Sequence, residues 1–180
     1  SQKPHPDMLR KEKLKNVVPY QHKDINLWRQ NFQGFKLIDY ELNLELKGAI
    51  DDIWIDKKTN ELIIVDYKST AKKIIDEKKW LSDKFTDPYL KQMNFYTYIF
   101  EKSGFKIKTT FFYIVNAQKE KKTFNNEMKF KSYLIEYKPN TQNLNEQLTD
   151  MKKLMDSEKI PDANEECESC NYLLSGSSIL

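Results

Sequence analysis

Two acidic residues and one lysine are the side chains in this sequence best suited to chemistry. Asp51 ends one short apolar stretch, and Asp66 and Lys68 follow the unbroken apolar run at residues 62–65. Such a run predicts a strand that is buried on both faces. Because side chains alternate along a strand, Asp66 and Lys68 should project from one face and Tyr67 from the other. Two carboxylates and an ammonium gathered there would suit a divalent metal ion and a water molecule beside a phosphodiester.

These side chains can meet only if neighbouring strands and helices carry them to one place. Pro88 follows Asp87 where a helix should begin, with Asp87 as its cap, and Gly104 should end that helix. The predicted strands are at 35–42, 43–55, 61–67, 105–115 and 130–137, and the predicted helices are at 25–32, 89–102 and 141–158. A basic irregular region is predicted at 71–84. The last helix should have an inward-facing apolar stripe of Leu144, Leu148, Met151, Leu154 and Met155.

Three short motifs accompany this order of elements. They are Gly48-Ala49-Ile50-Asp51, Asp66-Tyr67-Lys68-Ser69-Thr70 and Gln92-Met93-Asn94-Phe95-Tyr96. In type, order and placement they resemble the core of the PD-(D/E)XK nuclease superfamily, and most closely its RecB-like exonuclease branch. The resemblance covers residues 37–117. It implies an α/β fold with a restriction-endonuclease-like core, in which helices flank a mixed β-sheet.

The resemblance also implies roles for the motif residues. Asp51 and Asp66 would each give an oxygen to Mg²⁺ or Mn²⁺, with the Tyr67 backbone carbonyl and waters completing an octahedron. Lys68 would polarise the attacking water or stabilise the charge on the phosphate. Gln92 would contact this lysine or the DNA. The plainer alternative is that the two acids pair with nearby lysines at the surface and that Lys68 lies along the strand.

The glutamine and tyrosine of the third motif should act together. Gln92 and Tyr96 lie four residues apart and therefore share one helix face. Both are predicted to contact nucleic acid, and the alternative is a buried Tyr96 beside a solvated Gln92. Asp52 directly follows Asp51, so strand alternation should send it to the opposite face. There it could bond a backbone group or reach the metal through water.

Histidines and cysteines are too few to add ligands on their own. His5 and His22 lack the upstream helical context of the histidine that many RecB-like relatives carry, so both are interpreted as surface residues. Cys167 and Cys170 form a C-x-x-C pair, whereas relatives that hold an iron–sulfur cluster use four cysteines. Two thiolates cannot hold such a cluster or a closed zinc site. An iron–sulfur cluster is therefore not expected, and free thiols are preferred.

Composition indicates an ordered, polar protein. The 180 residues predict one domain at 1–180, with an N-terminal arm at 1–24 and a C-terminal tail at 159–180 that holds the C-x-x-C pair. Charged residues make up 32% of the chain, which has no apolar run of membrane-spanning length and no signal-peptide pattern. A cytoplasmic location without membrane contact is therefore the expectation.

Basic residues are almost all lysines, since Arg10 and Arg29 are the two arginines and the net charge is only +3. Lysine contacts phosphates as a point charge and lacks the fork that reads guanine. We therefore expect DNA to be bound through its backbone, without strong sequence preference, with Lys72 and Lys73 among the contacts. The abundance of lysine could equally reflect genome composition.

Together with the resemblance, these patterns imply Mg²⁺- or Mn²⁺-dependent hydrolysis of DNA phosphodiesters. The resemblance implies work in DNA repair, recombination or defence, with a helicase or another subunit of a nuclease complex as a possible partner. The alternative is a catalytically inactive nuclease-like module that binds nucleic acid or supports assembly. The intact set of Asp51, Asp66 and Lys68 favours the enzyme.

Overall fold

The computed structural model of the chain describes residues 6–72, 76–119 and 127–177. Its main feature is a five-stranded mixed sheet flanked by helices, as the sequence predicts. In chain order the elements are α1 (Pro6–Lys13), β1 (Val17–Pro19), α2 (Ile25–Trp28), β2 (Phe35–Asp39), β3 (Leu44–Gly48), β4 (Asp52–Asp56), β5 (Glu61–Thr70), α3 (Glu77–Leu81), a 3-10 turn (Lys84–Thr86), α4 (Asp87–Lys102), β6 (Ile107–Ala117), β7 (Phe130–Tyr137), α5 (Leu144–Met155) and α6 (Glu168–Ser177).

The sheet has the strand order β1-β4-β5-β6-β7, and β2 and β3 form a separate hairpin. Strand β5 pairs antiparallel with β4 and parallel with β6. A parallel pair needs a crossover, and here the crossover includes α3 and α4. The apolar run 62–65 is buried, which confirms that β5 is covered on both faces. This central strand therefore carries Asp66 into the buried part of the sheet, and the residues that follow it in β5 are exposed or half-buried.

Apolar layers on the two sides of the sheet hold β5 in place. On one side Trp54, Ile63 and Val65 pack with residues of β1, β6 and β7. On the other side α4 buries Met93, Ile99 and Phe100. Burial of that many apolar side chains is the main source of the sheet's stability.

Several predicted elements have different bounds in the structure. The predicted strand 43–55 is two strands, β3 and β4, and Asp51 lies in the gap between them. The helix predicted at 25–32 ends at Trp28, and β5 continues to Thr70. The cap of α4 is Thr86, so Asp87 lies inside the first turn. The region at 71–84 includes a short helix, α3.

The N-terminal segment is more ordered than the loop that the sequence predicts. It contains α1 and also β1, which is an edge strand of the main sheet and pairs Val18 with Ile55. The Arg10 guanidinium donates a hydrogen bond to the Val17 carbonyl and so links the helix to the strand. The pairing is with a strand more than thirty residues away, which local sequence patterns do not reveal.

Contacts divide the chain into two compact units, residues 1–144 and 145–180, and the single-domain organisation stays a prediction. In the second unit the prediction of an inward-facing stripe is wrong for three residues. Met151, Leu154 and Met155 are 50–68% exposed, while Leu148 is buried. The predicted tail contains the helix α6. Among the described residues, no helix is long and apolar enough to cross a membrane.

Candidate active site

Asp51 is positioned by the break between β3 and β4. Its carboxylate is at the surface, where Oδ2 accepts a hydrogen bond of 2.7 Å from the Tyr67 backbone N–H of β5. The Ile50 backbone N–H bonds to the Trp28 carbonyl instead of to a strand, which maintains the break. Gly48 precedes the break because a Cβ atom there would lie 2.5 Å from the Tyr96 ring. The gap therefore brings one carboxylate beside the middle of β5.

Asp66 is buried and shares its side of β5 with Lys68. The Asp66 carboxylate is only 4% exposed, and its Oδ2 lies 2.5 Å from the Lys68 ammonium. Burial raises the pKa of Asp66, the nearby Lys68 charge opposes that rise, and the Asp51 charge adds to it. Within the described part of the chain, Asp66 Oδ2 finds no hydrogen bond of good geometry beyond this ion pair. The ion pair is therefore the main compensation for a costly buried oxygen.

A chain of polar contacts leads from Lys68 back to the break beside Asp51. The Lys68 ammonium donates to Gln92 Oε1 at 3.2 Å, and Gln92 Nε2 donates to the Tyr96 hydroxyl at 2.7 Å. The Tyr96 hydroxyl in turn donates to the Ala49 carbonyl at 2.6 Å. Gln92 and Tyr96 are one turn apart on α4, so a single helix face holds both. The structure thus brings together the residues of all three motifs.

The comparisons with known proteins agree with this arrangement. The family model of the PD-(D/E)XK nuclease superfamily matches residues 2–173, nearly the whole chain. The chain belongs to the PD-(D/E)XK nuclease superfamily. No curated protein and no solved structure matches it. The match confirms the predicted superfamily and its α/β fold, while the RecB-like branch stays a prediction.

A metal ion of the kind that PD-(D/E)XK nucleases commonly use fits the residues that are present. Magnesium keeps several waters and needs only one or two protein carboxylates. Asp51 and Asp66 supply these, and the poorly satisfied Asp66 Oδ2 is an oxygen that a cation would stabilise. Among the described residues no group of three or more His, Cys, Asp or Glu side chains is placed to hold a metal ion, so a site here would have these two carboxylates as its side-chain donors, together with waters. The donor set therefore suits Mg²⁺ or Mn²⁺.

Asp52 faces away from Asp66, as strand alternation predicts. Its carboxylate accepts hydrogen bonds from the Arg29 guanidinium and the Ile53 backbone, from the Trp54 indole at 2.9 Å and from the Tyr67 hydroxyl at 2.7 Å. Burial and this bond to Asp52 raise the pKa of the Tyr67 hydroxyl. Asp52 therefore belongs to a separate network. The sequence analysis did not assign Arg29 to it, since no spacing rule links residues that far apart.

Tyr89 has no role assigned from the sequence, although it lies in the first turn of α4, the helix that carries Gln92. Its ring lies 4.6 Å from the Lys68 ammonium, in cation–π contact. The sequence signal that could have identified Tyr89 is its position directly after Pro88, at the start of the helix that carries Gln92. Lys68 is therefore held by a carboxylate, an amide and a ring.

The remaining residues discussed in the sequence analysis form no hydrogen bond or ion pair with Asp51, Asp66 or Lys68 among the described residues. The Lys72 ammonium pairs with Asp83 at 2.5 Å and lies over the Phe85 ring, and Lys73 is outside the described residues. His22 stacks on Trp28 with ring centroids 4.3 Å apart. In the second unit, the Cys170 backbone N–H donates to Cys167 Sγ at 3.3 Å; hydrogen bonding by Cys170 lowers the pKa of the Cys167 thiol.

Proposed function

We propose that this chain is a metal-dependent deoxyribonuclease of the RecB-like type, which hydrolyses DNA phosphodiester bonds. The observation that carries the proposal is the buried Asp66 Oδ2, whose one close partner among the described residues is the Lys68 ammonium and which has the Asp51 charge nearby. Placing two acids and a lysine together is costly in a fold that needs only stability. The cost is understandable if a cation and a phosphate are to be bound there.

Asp51, Asp66 and the Tyr67 backbone carbonyl would hold Mg²⁺ or Mn²⁺. The bound ion would supply Lewis-acid polarisation of the phosphate and a lower pKa for water at the site. In the reaction a water oxygen forms a bond to phosphorus and gives up a proton to solvent, while the bond from phosphorus to the leaving oxygen breaks and that oxygen takes up a proton from solvent to leave as an alcohol. The part of the two carboxylates would be to hold the ion beside the phosphate.

Lys68 would act on the charge that develops at phosphorus. Its ammonium is oriented by Asp66, by Gln92 and by the face of the Tyr89 ring. Such preorganised donors stabilise a transition state without reorganising during the reaction. Gln92 is in turn fixed by Tyr96, so these two act as positioning residues for Lys68.

The substrate and setting follow from the lysine-rich surface and from the RecB-like resemblance. Lysines at 78, 79, 84 and 91 surround the site in sequence and would contact phosphates rather than base edges. We place the enzyme in DNA repair, recombination or defence, with a helicase or another subunit of a nuclease complex as its partner. Affinity should therefore fall steeply with salt and depend little on base sequence.

A cleavage assay tests the proposal. Labelled single- and double-stranded DNA, linear and circular, is incubated with Mg²⁺, with Mn²⁺ or with chelator, and RNA is included as a competing substrate. We expect DNA cleavage that needs the metal. DNA binding without cleavage under every metal condition would contradict the enzyme and favour the non-cutting module.

The structure offers a matched control for the lysine in this assay. Lys108 also forms a 2.5 Å ion pair with a largely buried aspartate, Asp56, but near the other end of β5. Lys108→Ala should leave cleavage within about twofold of the parent, because the contact touches no proposed ligand. Cleavage that falls equally in Lys68→Ala and Lys108→Ala would indicate a stability effect rather than chemistry.

A further inference from the structure

A cavity of about 310 Å³ opens directly beside Lys68. It is bounded by the C-terminal end of β5, by α3 and the 3-10 turn, and by the first turn of α4. Lys68 lines it at one end, so the cavity and the proposed catalytic site share a wall. Its size is at the small end of the range for ligand sites. No step of the proposed hydrolysis uses this space.

Three aromatic rings line the cavity, and they belong to Trp80, Phe85 and Tyr89. The Trp80 and Tyr89 rings are nearly parallel, with an interplanar angle of 14° and centroids 6.5 Å apart. Trp80 also contacts Phe112 edge-on at 5.0 Å, which fixes its orientation. Phe85 is 81% exposed at the rim. The cavity therefore offers flat ring faces beside the lysine of the site.

The charges around the cavity suit an anionic strand. Both acids in its wall are already used within the chain, since Asp76 caps α3 through the Lys79 backbone N–H and Asp83 accepts from the Phe85 backbone N–H. Asp83 also pairs with Lys72. The wall therefore combines ring faces with three lysines and two aspartates, an excess of one positive charge, and of these lysines Lys68 and Lys72 are paired with Asp66 and Asp83.

We propose that this cavity holds an unpaired nucleobase of the strand whose phosphate lies at the site. The substrate would thus be single-stranded or frayed nucleic acid, and this inference rests on the proposed function. A base inside a duplex is paired and stacked, so its faces are inaccessible to protein rings. An unpaired base exposes both faces and stacks on aromatic side chains whatever its identity. Sequence-independent stacking also agrees with the scarcity of arginine.

Tryptophan fluorescence in chelator tests the proposal without any cleavage. The chain has three tryptophans, of which Trp28 and Trp54 are 7% and 1% exposed, whereas Trp80 lines the cavity. A single-stranded oligothymidylate should quench the emission on binding. An abasic strand of equal length and charge should bind roughly tenfold to hundredfold more weakly and quench little, because each stacked base contributes about that factor. Equal affinity for the two strands without quenching would overturn the proposal.

Three variants keep the test independent of folding. Phe85→Ala removes an exposed rim ring, and Phe32→Ala is its matched control, since Phe32 is 90% exposed and does not line the cavity. Phe85→Ala should weaken oligothymidylate binding several-fold and leave abasic binding unchanged, while Phe32→Ala should change neither. Trp80→Phe retains a ring and should retain most of the base preference. Equal weakening of both ligands by Phe85→Ala would contradict base stacking.

The two proposals fail in different ways. Quenching by the oligothymidylate with no cleavage under any metal condition would leave base binding standing and reject the nuclease. Equal cleavage of single strands and of closed circular duplex, without quenching, would leave the nuclease standing and reject the base-binding cavity.

Discussion

The two faces of the sheet near the end of β5 each place a carboxylate beside a cation. The two carboxylates differ in how many hydrogen-bond donors surround them. On one face Asp52 has Arg29 together with hydrogen bonds from a backbone N–H, the Trp54 indole and the Tyr67 hydroxyl. On the other face Asp66 is more buried, and its Oδ2 has the Lys68 ammonium alone as a close partner within the described residues. The first carboxylate is saturated with donors and the second is not.

This difference indicates what each face is for. A buried carboxylate with all its acceptor positions filled fixes neighbouring elements, and here it ties Arg29, β4 and β5 together. A buried carboxylate left short of donors costs stability, and burial raises the pKa of Asp66 accordingly. We interpret the Asp52 face as scaffold and the Asp66 face as the place where ligand and chemistry belong.

The largest expected effect is on cleavage, from a change on the Asp66 face. Lys68→Ala should lower the single-turnover cleavage rate about 100-fold to 1,000-fold, because it removes a preorganised donor to the transition state. Affinity for DNA in chelator should change little, as should the circular dichroism spectrum. A variant that cuts as fast as the parent would show that Lys68 has no part in the chemistry.

The next effect is on stability, from the Asp52 face. Asp52→Ala should lower the free energy of unfolding by about 3 kcal/mol, because it leaves the indole, the hydroxyl and the guanidinium without their acceptor. Urea unfolding measures it. Asp51→Ala is the matched control at the adjacent position. It should cost about 1 kcal/mol or less, since an exposed carboxylate loses one hydrogen bond. Equal losses of unfolding free energy in Asp52→Ala and Asp51→Ala would contradict a scaffold role for the Asp52 face.

A smaller change isolates one bond of the scaffold network. Tyr67→Phe deletes the hydroxyl that donates to Asp52 at 2.7 Å and keeps the ring and the backbone. The free energy of unfolding should fall by about 1 kcal/mol, and folded enzyme should cut within about twofold of the parent rate. A drop in cleavage as large as that of Lys68→Ala would mean that the two faces are functionally coupled.

The smallest expected effect is on stability, and it is a gain where the preceding variants lose stability. Because the pKa of Asp66 is raised above its ordinary value of 3.8, the folded state holds this proton more tightly than the unfolded state does. Stability is therefore lost as the pH rises from the unfolded pKa through the folded pKa. Asp66→Asn removes that loss, so its melting temperature in chelator at neutral pH should equal or slightly exceed the parent's. A decrease comparable with that of Asp52→Ala would contradict the picture of an undersatisfied carboxylate.

The part of the site carried by single elements could be predicted from sequence. The apolar run before Asp66 and the alternation through Lys68 are properties of one strand, and the spacing of Gln92 and Tyr96 is a property of one helix. Local rules suffice for these because the side-chain directions follow from the backbone period.

The remaining features depend on contacts between distant segments. The break at Asp51 exists because Ile50 bonds to Trp28, and the Tyr96 hydroxyl finds its acceptor at Ala49. Neither contact has a signature in local spacing. The exposed stripe on α5 is a similar case, because periodicity predicts an apolar side but does not predict what covers it. Pairing of β1 with β4 likewise depends on the tertiary fold.

Calorimetric titration with Mn²⁺ tests the central claim most directly, namely that the Asp66 face binds the metal and the Asp52 face does not. The parent protein and Tyr67→Phe should bind Mn²⁺ alike, since Tyr67→Phe keeps both carboxylates and the Tyr67 backbone carbonyl. Asp66→Asn, which is expected to remain fully folded, should abolish the binding. Undiminished Mn²⁺ binding by Asp66→Asn would contradict the assignment of this face as the active site.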